Sequence, residues 1–128
     1  MPKKILQVVQ SAYRATIEEQ DDTIVWLTHA MKGAGADVSV LLRGNAVNYL
    51  VKGQEPNGLR FGERVLTHKT DLGGDVEKLV AKGVAVSVVA EDLAERGIAD
   101  ADCLAGVQRI GRADVPALFA AHQQILHW

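Results

Sequence analysis

The side chains best suited to chemistry fall in three short stretches, each just past an apolar run. Ser11, Tyr13 and Arg14 follow residues 4–10, Arg43, Asn45 and Asn48 follow residues 37–42, and Glu91 and Asp92 follow residues 84–89. Together they offer hydroxyls, amides, cations and carboxylates, a set that orients a small polar ligand. Each also has a plainer role. Asn45 tolerates a left-handed turn, Glu91 and Asp92 favour the start of a helix, and Arg43 can be a surface cation. Shared location raises the group above those roles. In open α/β sheets, ligands bind outside the carboxyl ends of the strands, near a switch in strand order.

Other reactive groups carry less. The sequence has one cysteine, Cys103, which follows Asp100 and Asp102. Carboxylates raise a thiol's pKa, whereas a nucleophilic thiolate needs positive surroundings. The residues therefore favour an inert, partly buried thiol, with Cys103 still the sole candidate for thiol chemistry. His29, His68, His122 and His127 are scattered, and His122 and His127 lack the i, i+4 spacing of a helical metal pair. No metal site is expected. There is no phosphate-binding Gly-rich loop, no dinucleotide fingerprint before a helix and no nucleophile elbow, so no cofactor is expected. Gly33-Ala34-Gly35 lies after a helix and before a strand, and reads as a helix stop.

The positioning elements follow from the apolar pattern. Residues 4–10, 37–42 and 84–89 are apolar without polar alternation, as in strands covered on both faces. Thr16 and Glu19 fit a capping box, opening a helix to about Lys32 with Ile17, Ile24, Leu27, Met31 and Ala34 on one stripe. A short helix is predicted over 46–52. Residues 54–70 form the longest irregular stretch, of the kind that is usually functional, disordered or packed on a neighbour. Asp71 or Asp75 caps a third helix, Glu91 to Arg96 forms a fourth, and 107–110 a short strand. Asp114 caps a last helix to about His122, and residues 124–128 either continue that helix or, as the favoured reading, form a final strand. Such alternation predicts a mostly parallel five-stranded sheet with helices on both faces, in one α/β domain spanning residues 1–128.

At 128 residues, 48% apolar, 23% charged and net charge −2, the composition is that of an ordinary globular domain. Clustered Lys/Arg is missing, so neither nucleic acid nor a membrane surface is an expected partner. One unpaired cysteine and the lack of a secretory leader or spanning segment fit a reducing cytoplasm. Trp128 at the end either closes the core or seeks an interface.

The chain resembles the DsrE/DsrF-like proteins, which include the TusD-type sulfur-relay subunits. The likeness rests on Lys4-Ile5-Leu6-Gln7-Val8-Val9 before a polar loop, a long first helix ending in Gly-Ala-Asp-Val, and Arg43-Gly44 after the second strand. It rests also on Lys82-Gly83-Val84-Ala85-Val86-Ser87-Val88-Val89 running into Leu93-Ala94-Glu95-Arg96-Gly97-Ile98, and on Leu118 to Trp128. It implies a flavodoxin-like three-layer sandwich, assembly into trimers or hexamers, and a persulfide-carrying cysteine at the end of the 84–89 strand. That position falls at or within a residue of Val89, which has no thiol. Three readings follow. The chain is an oligomeric binding or accessory module linked to intracellular sulfur transfer, with a sulfur-transfer protein as partner. Or it is a sulfurtransferase or sulfur carrier using Cys103. Or it binds a small molecule through Ser11, Tyr13, Arg43, Asn45, Asn48 and Glu91.

Overall fold

The computed structural model describes residues 3–13, 22–54, 60–65 and 70–128. Their elements in chain order are β1 (Lys4–Val9), α1 (Thr23–Gly33), β2 (Asp37–Leu42), β3 (Arg60–Phe61), β4 (Arg64–Val65) and α2 (Leu72–Ala81). These are followed by β5 (Ala85–Val89), α3 (Ala90–Glu95), β6 (Gln108–Ile110), α4 (Val115–Ala120) and β7 (Gln124–His127). Five strands form one sheet in the order β6-β5-β2-β1-β7, and every pairing in it is parallel. The result is the expected three-layer, flavodoxin-like α/β arrangement.

The chain steps outward from β1 through β2 and β5 to β6, then returns to place β7 on the far side of β1. Right-handed crossovers that step in one direction put their helices on one face, and the return puts its helix on the other. The core divides accordingly. Ile24 and Val25 of α1, Val76 and Leu79 of α2 and Leu93 of α3 pack with Val9, Val40, Leu42, Val86 and Val88. Val115, Leu118 and Phe119 of α4 pack with Leu6, Val8, Leu41 and Val89 on the opposite face. Burial on both sides explains why these strands read as unbroken apolar runs. Each such side chain contributes roughly 1.5–3 kcal/mol. The reversal beside β1 is the switch point of the sheet.

Several expectations changed on contact with tertiary structure. The Thr16/Glu19 capping box and Ile17 lie outside the described residues. The first described helix is capped by Asp22, whose carboxylate accepts from the backbone N–H groups of Ile24 and Val25. Its buried residues are Ile24, Val25 and Thr28, a stripe rotated from the predicted one, with Thr28 beside the buried Gln7 side chain of β1. The predicted 46–52 helix is a 3₁₀ helix over Gly44–Leu50. Its first turn is tied to the sheet by the Ala46 N–H donating to the Gln10 carbonyl. Inside the stretch read as irregular, β3 and β4 form a hairpin about Gly62 at φ 60, a conformation open to glycine. Asp114 precedes α4 but turns its carboxylate back to the Gly111 N–H instead of capping the helix.

Asp71 caps α2 through the Gly74 N–H, and Gly35 ends α1 at φ 92. Trp128 closes the core. It packs against the three-helix face, donates its indole N–H to Gln7 Oε1 at 2.8 Å, and its carbonyl accepts from Gln10 and Ser11. Among the described residues no helix is long and apolar enough to cross a membrane.

Candidate functional site at the strand tips

The loop after β1 is held by a relay. Tyr13 takes a left-handed backbone, φ 57, the sole non-glycine residue to do so among those described. Its N–H donates to the hydroxyl of Tyr49, which donates in turn to Asp22 Oδ2 at 2.5 Å. Tyr49 and Asp22 are fully buried. A buried carboxylate is tolerable when its oxygens are occupied, and Asp22 has two backbone donors and this hydroxyl. The Tyr13 and Tyr49 rings meet edge-on, centroids 5.5 Å apart, and the Tyr13 hydroxyl donates to Gln54 Oε1 at 2.7 Å. Partial burial pushes the Tyr13 phenol above its ordinary range. Left-handed backbone in an aromatic residue is uncommon and worth attention near a site.

On the α4 side of the sheet, Arg43 leaves the tip of β2. Its Cζ lies 5.7 Å from the centre of the Phe119 ring, a cation–π distance. Its Nη2 lies 2.9 Å from His127 Nε2, and the same ring nitrogen is 3.0 Å from Gln10 Oε1. No ion pair among the described residues includes Arg43.

Of the other polar residues named from the sequence, Asn45, Asn48, Glu91 and Asp92 hydrogen-bond within the fold. Asn45 Oδ1 accepts from Arg96 Nε and Nη2. Asn48 donates to the Asn45 carbonyl at 2.8 Å, and its own carbonyl accepts from Gln54. Glu91 accepts from the Arg112 N–H through both oxygens. Asp92, nearly buried, accepts from the Gly44 N–H at 2.8 Å and from Arg112 Nη2 at 2.6 Å, while Arg112 also reaches Glu95. Burial pushes the Asp92 carboxyl up, but the Gly44 N–H, Arg112 and Arg96 outweigh it and hold it below the ordinary value. Asp92 and Glu95 hold the Arg112 guanidinium even further into its charged form. Thus α3 staples together the loops that follow β2 and β6. Ser11 is exposed, and its backbone N–H donates to the Trp128 carbonyl.

Cys103 lies elsewhere. It belongs to the core under the three-helix face, is 6% exposed, and its Sγ points to the Ala99 carbonyl at 3.6 Å. Burial pushes the thiol up, Asp102 adds to this, and Lys52 only partly opposes it. Val89 ends β5, 1% exposed, among Val115, Leu41 and Val8. Among the described residues no group of three or more His, Cys, Asp or Glu is placed to hold a metal ion.

Sequence reasoning missed Gln10, His127, Arg112, Phe119 and the Tyr49–Asp22 pair. His127 and Phe119 come to Arg43 only because β7 returns beside β1, and no local pattern announces that. Asp22 was legible as a possible cap, being an acid just before an apolar helix.

The sequence matches no protein-family model and no curated protein. Among solved structures, the chain is similar to the YchN protein from E. coli, with TM-score 0.70 and 18% identity over 98% of this chain and 99% of that one. It is similar also to MTH1491, a protein of unknown function from Methanobacterium thermoautotrophicum, with TM-score 0.64 and 16% identity over 98% and 99% of the two chains. Likeness at such identities fixes architecture and leaves activity to the site. The chain shares its α/β fold with these two proteins.

Proposed function

We propose that this chain is a binding module of DsrE-like architecture that does not itself carry sulfur, and that it works as a homo-oligomer, a trimer or hexamer, beside a sulfur-transfer protein. The observation that supports this reading best is the pairing of an aliphatic β5 tip with a buried thiol. Val88 and Val89 are each 1% exposed where the resemblance expects a cysteine. A persulfide carrier needs an accessible thiolate near neutral pH, and the core position of Cys103 works against both requirements. The polar groups at the strand tips, Tyr13 and Arg43 foremost, are the binding surface in this reading.

The test is persulfide labelling of the native protein after exposure to a low-molecular-weight persulfide donor, with Cys103→Ala as the blank. Equal labelling of the two supports the reading. Sulfur loaded on the wild type and missing from Cys103→Ala would make the chain a sulfur carrier instead.

A further inference from the structure

We infer that Arg43 is the seat of a small oxyanion, and that His127 covers this seat in the free chain. This rests on the binding reading above and names the class of ligand. Nε of Arg43 is buried and has no hydrogen-bond partner, and it is the sole buried side-chain nitrogen or oxygen in that condition among the described residues. A guanidinium stays charged and has only donors to offer. Leaving one of them dry and unpaired is costly, and the other described side chains avoid it.

Nε and Nη2 share one edge of the planar guanidinium, the edge that two oxygens of one anion fit side by side. That edge is only half used. Nη2 meets Nε2 of His127 at 2.9 Å, and among the described residues no ion pair brings a carboxylate to it. Asp92, the acid tied to neighbouring Gly44, already holds Arg112.

The cover is itself poorly matched. Because Arg43 can only donate, His127 Nε2 must accept from it and cannot carry a proton. The same nitrogen lies 3.0 Å from Gln10 Oε1, another acceptor. One ring nitrogen cannot accept from the guanidinium and donate to the amide oxygen together. Either the Gln10 amide turns over or the ring releases Arg43. In the second arrangement Nε2–H donates to Gln10 Oε1 and the Nε/Nη2 edge stands open. An oxyanion satisfies both donors of that edge and removes the mismatch. His127 is exposed, on the outer strand β7, so its ring can swing away without disturbing the core. The Phe119 ring beside the guanidinium limits the water that would compete with the ligand. The seat lies beside β1, where strand order reverses.

The experiment is an NMR titration of the full chain with inorganic phosphate and, separately, with acetate, against sodium chloride at matched ionic strength. Saturable shifts of the Arg43 Nε–H and the Gly44 amide are expected at millimolar concentrations. Arg43→Lys keeps the charge and loses the edge, so it should weaken binding by at least about tenfold. Arg109→Gln, at a cation already paired with Asp100, should bind as the wild type does. His127→Ala, which removes the cover, should bind at least as tightly as the wild type. Saturation by phosphate alone supports the seat and assigns it a tetrahedral anion, and saturation by acetate alone supports it and assigns a carboxylate. The inference is overturned if neither anion saturates, if Arg43→Lys and Arg109→Gln weaken binding equally, or if His127→Ala abolishes it. Sulfur loading on Cys103 would sink the proposed function and leave this titration untouched; a silent titration would do the reverse.

Discussion

Replacing Tyr49 by phenylalanine removes one oxygen and almost no apolar surface, so it isolates the relay that holds the loop after β1. The lost hydroxyl donates to a fully buried carboxylate, a charge-assisted bond worth about 1.5–3 kcal/mol. It also accepts the Tyr13 N–H, and orphaning that donor adds about 1 kcal/mol, the low end for such groups because Tyr13 is 52% exposed and water can reach it. No cavity larger than the oxygen is left, so packing adds little. Tyr49→Phe should therefore cost about 2.5–4 kcal/mol in urea unfolding, with m unchanged. That corresponds to a Tm lowered by roughly 10–15 °C for a domain of this size. Asp22→Asn, which keeps an oxygen for the helix cap but removes the charge, should couple to it in a double-mutant cycle by about 1–2 kcal/mol. A Tyr49→Phe protein within about 0.5 kcal/mol of wild type, or strictly additive variants, would refute the idea that a buried carboxylate anchors this loop.

Two further outcomes follow from other parts of the molecule. The Asp92 carboxyl has a lower pKa folded than unfolded, so its stabilisation is complete above the unfolded value near 4 and is lost as pH falls through the folded one. Asp92→Asn should cost about 1–3 kcal/mol at neutral pH and flatten the acid limb of a stability-versus-pH curve; an unchanged limb would show that the Gly44 and Arg112 contacts do not set it. Light scattering of the purified chain should give a mass of a trimer or hexamer, and a clean monomer would contradict the proposed assembly.

What the sequence made legible was whatever local pattern controls. The second strand, Asp37–Leu42, lies where the apolar run put it, and the run at 84–89 forms β5. Gly35 and Asp71 act as the stop and cap their types allow. The short apolar end became β7 because residues 124–127 pair with β1. Where local pattern falls short, contacts distant in sequence are the cause. Residues 46–52 carry a helical apolar spacing, but contacts to Gln10 and Asp92 from across the chain draw the segment into 3₁₀ form. Arg43 was singled out as one cation in a common crevice. Its actual neighbours, His127 and Phe119, are more than seventy positions away in sequence. Asn45, Asn48 and Glu91 were singled out for their chemistry, and the structure gives each a backbone or side-chain partner within the fold. Polar residues beside a site are needed first to fix its loops, and type and spacing alone do not separate that duty from ligand contact.

The proposed function turns on whether sulfur can reside on this chain. Intact-mass spectrometry after incubation with a persulfide donor decides it, run once on the native protein and once in denaturant. Native protein should keep its mass, while denatured protein, with Cys103 released from the core, should gain sulfur. Native protein that gains a sulfur atom as fast as the denatured chain would contradict it.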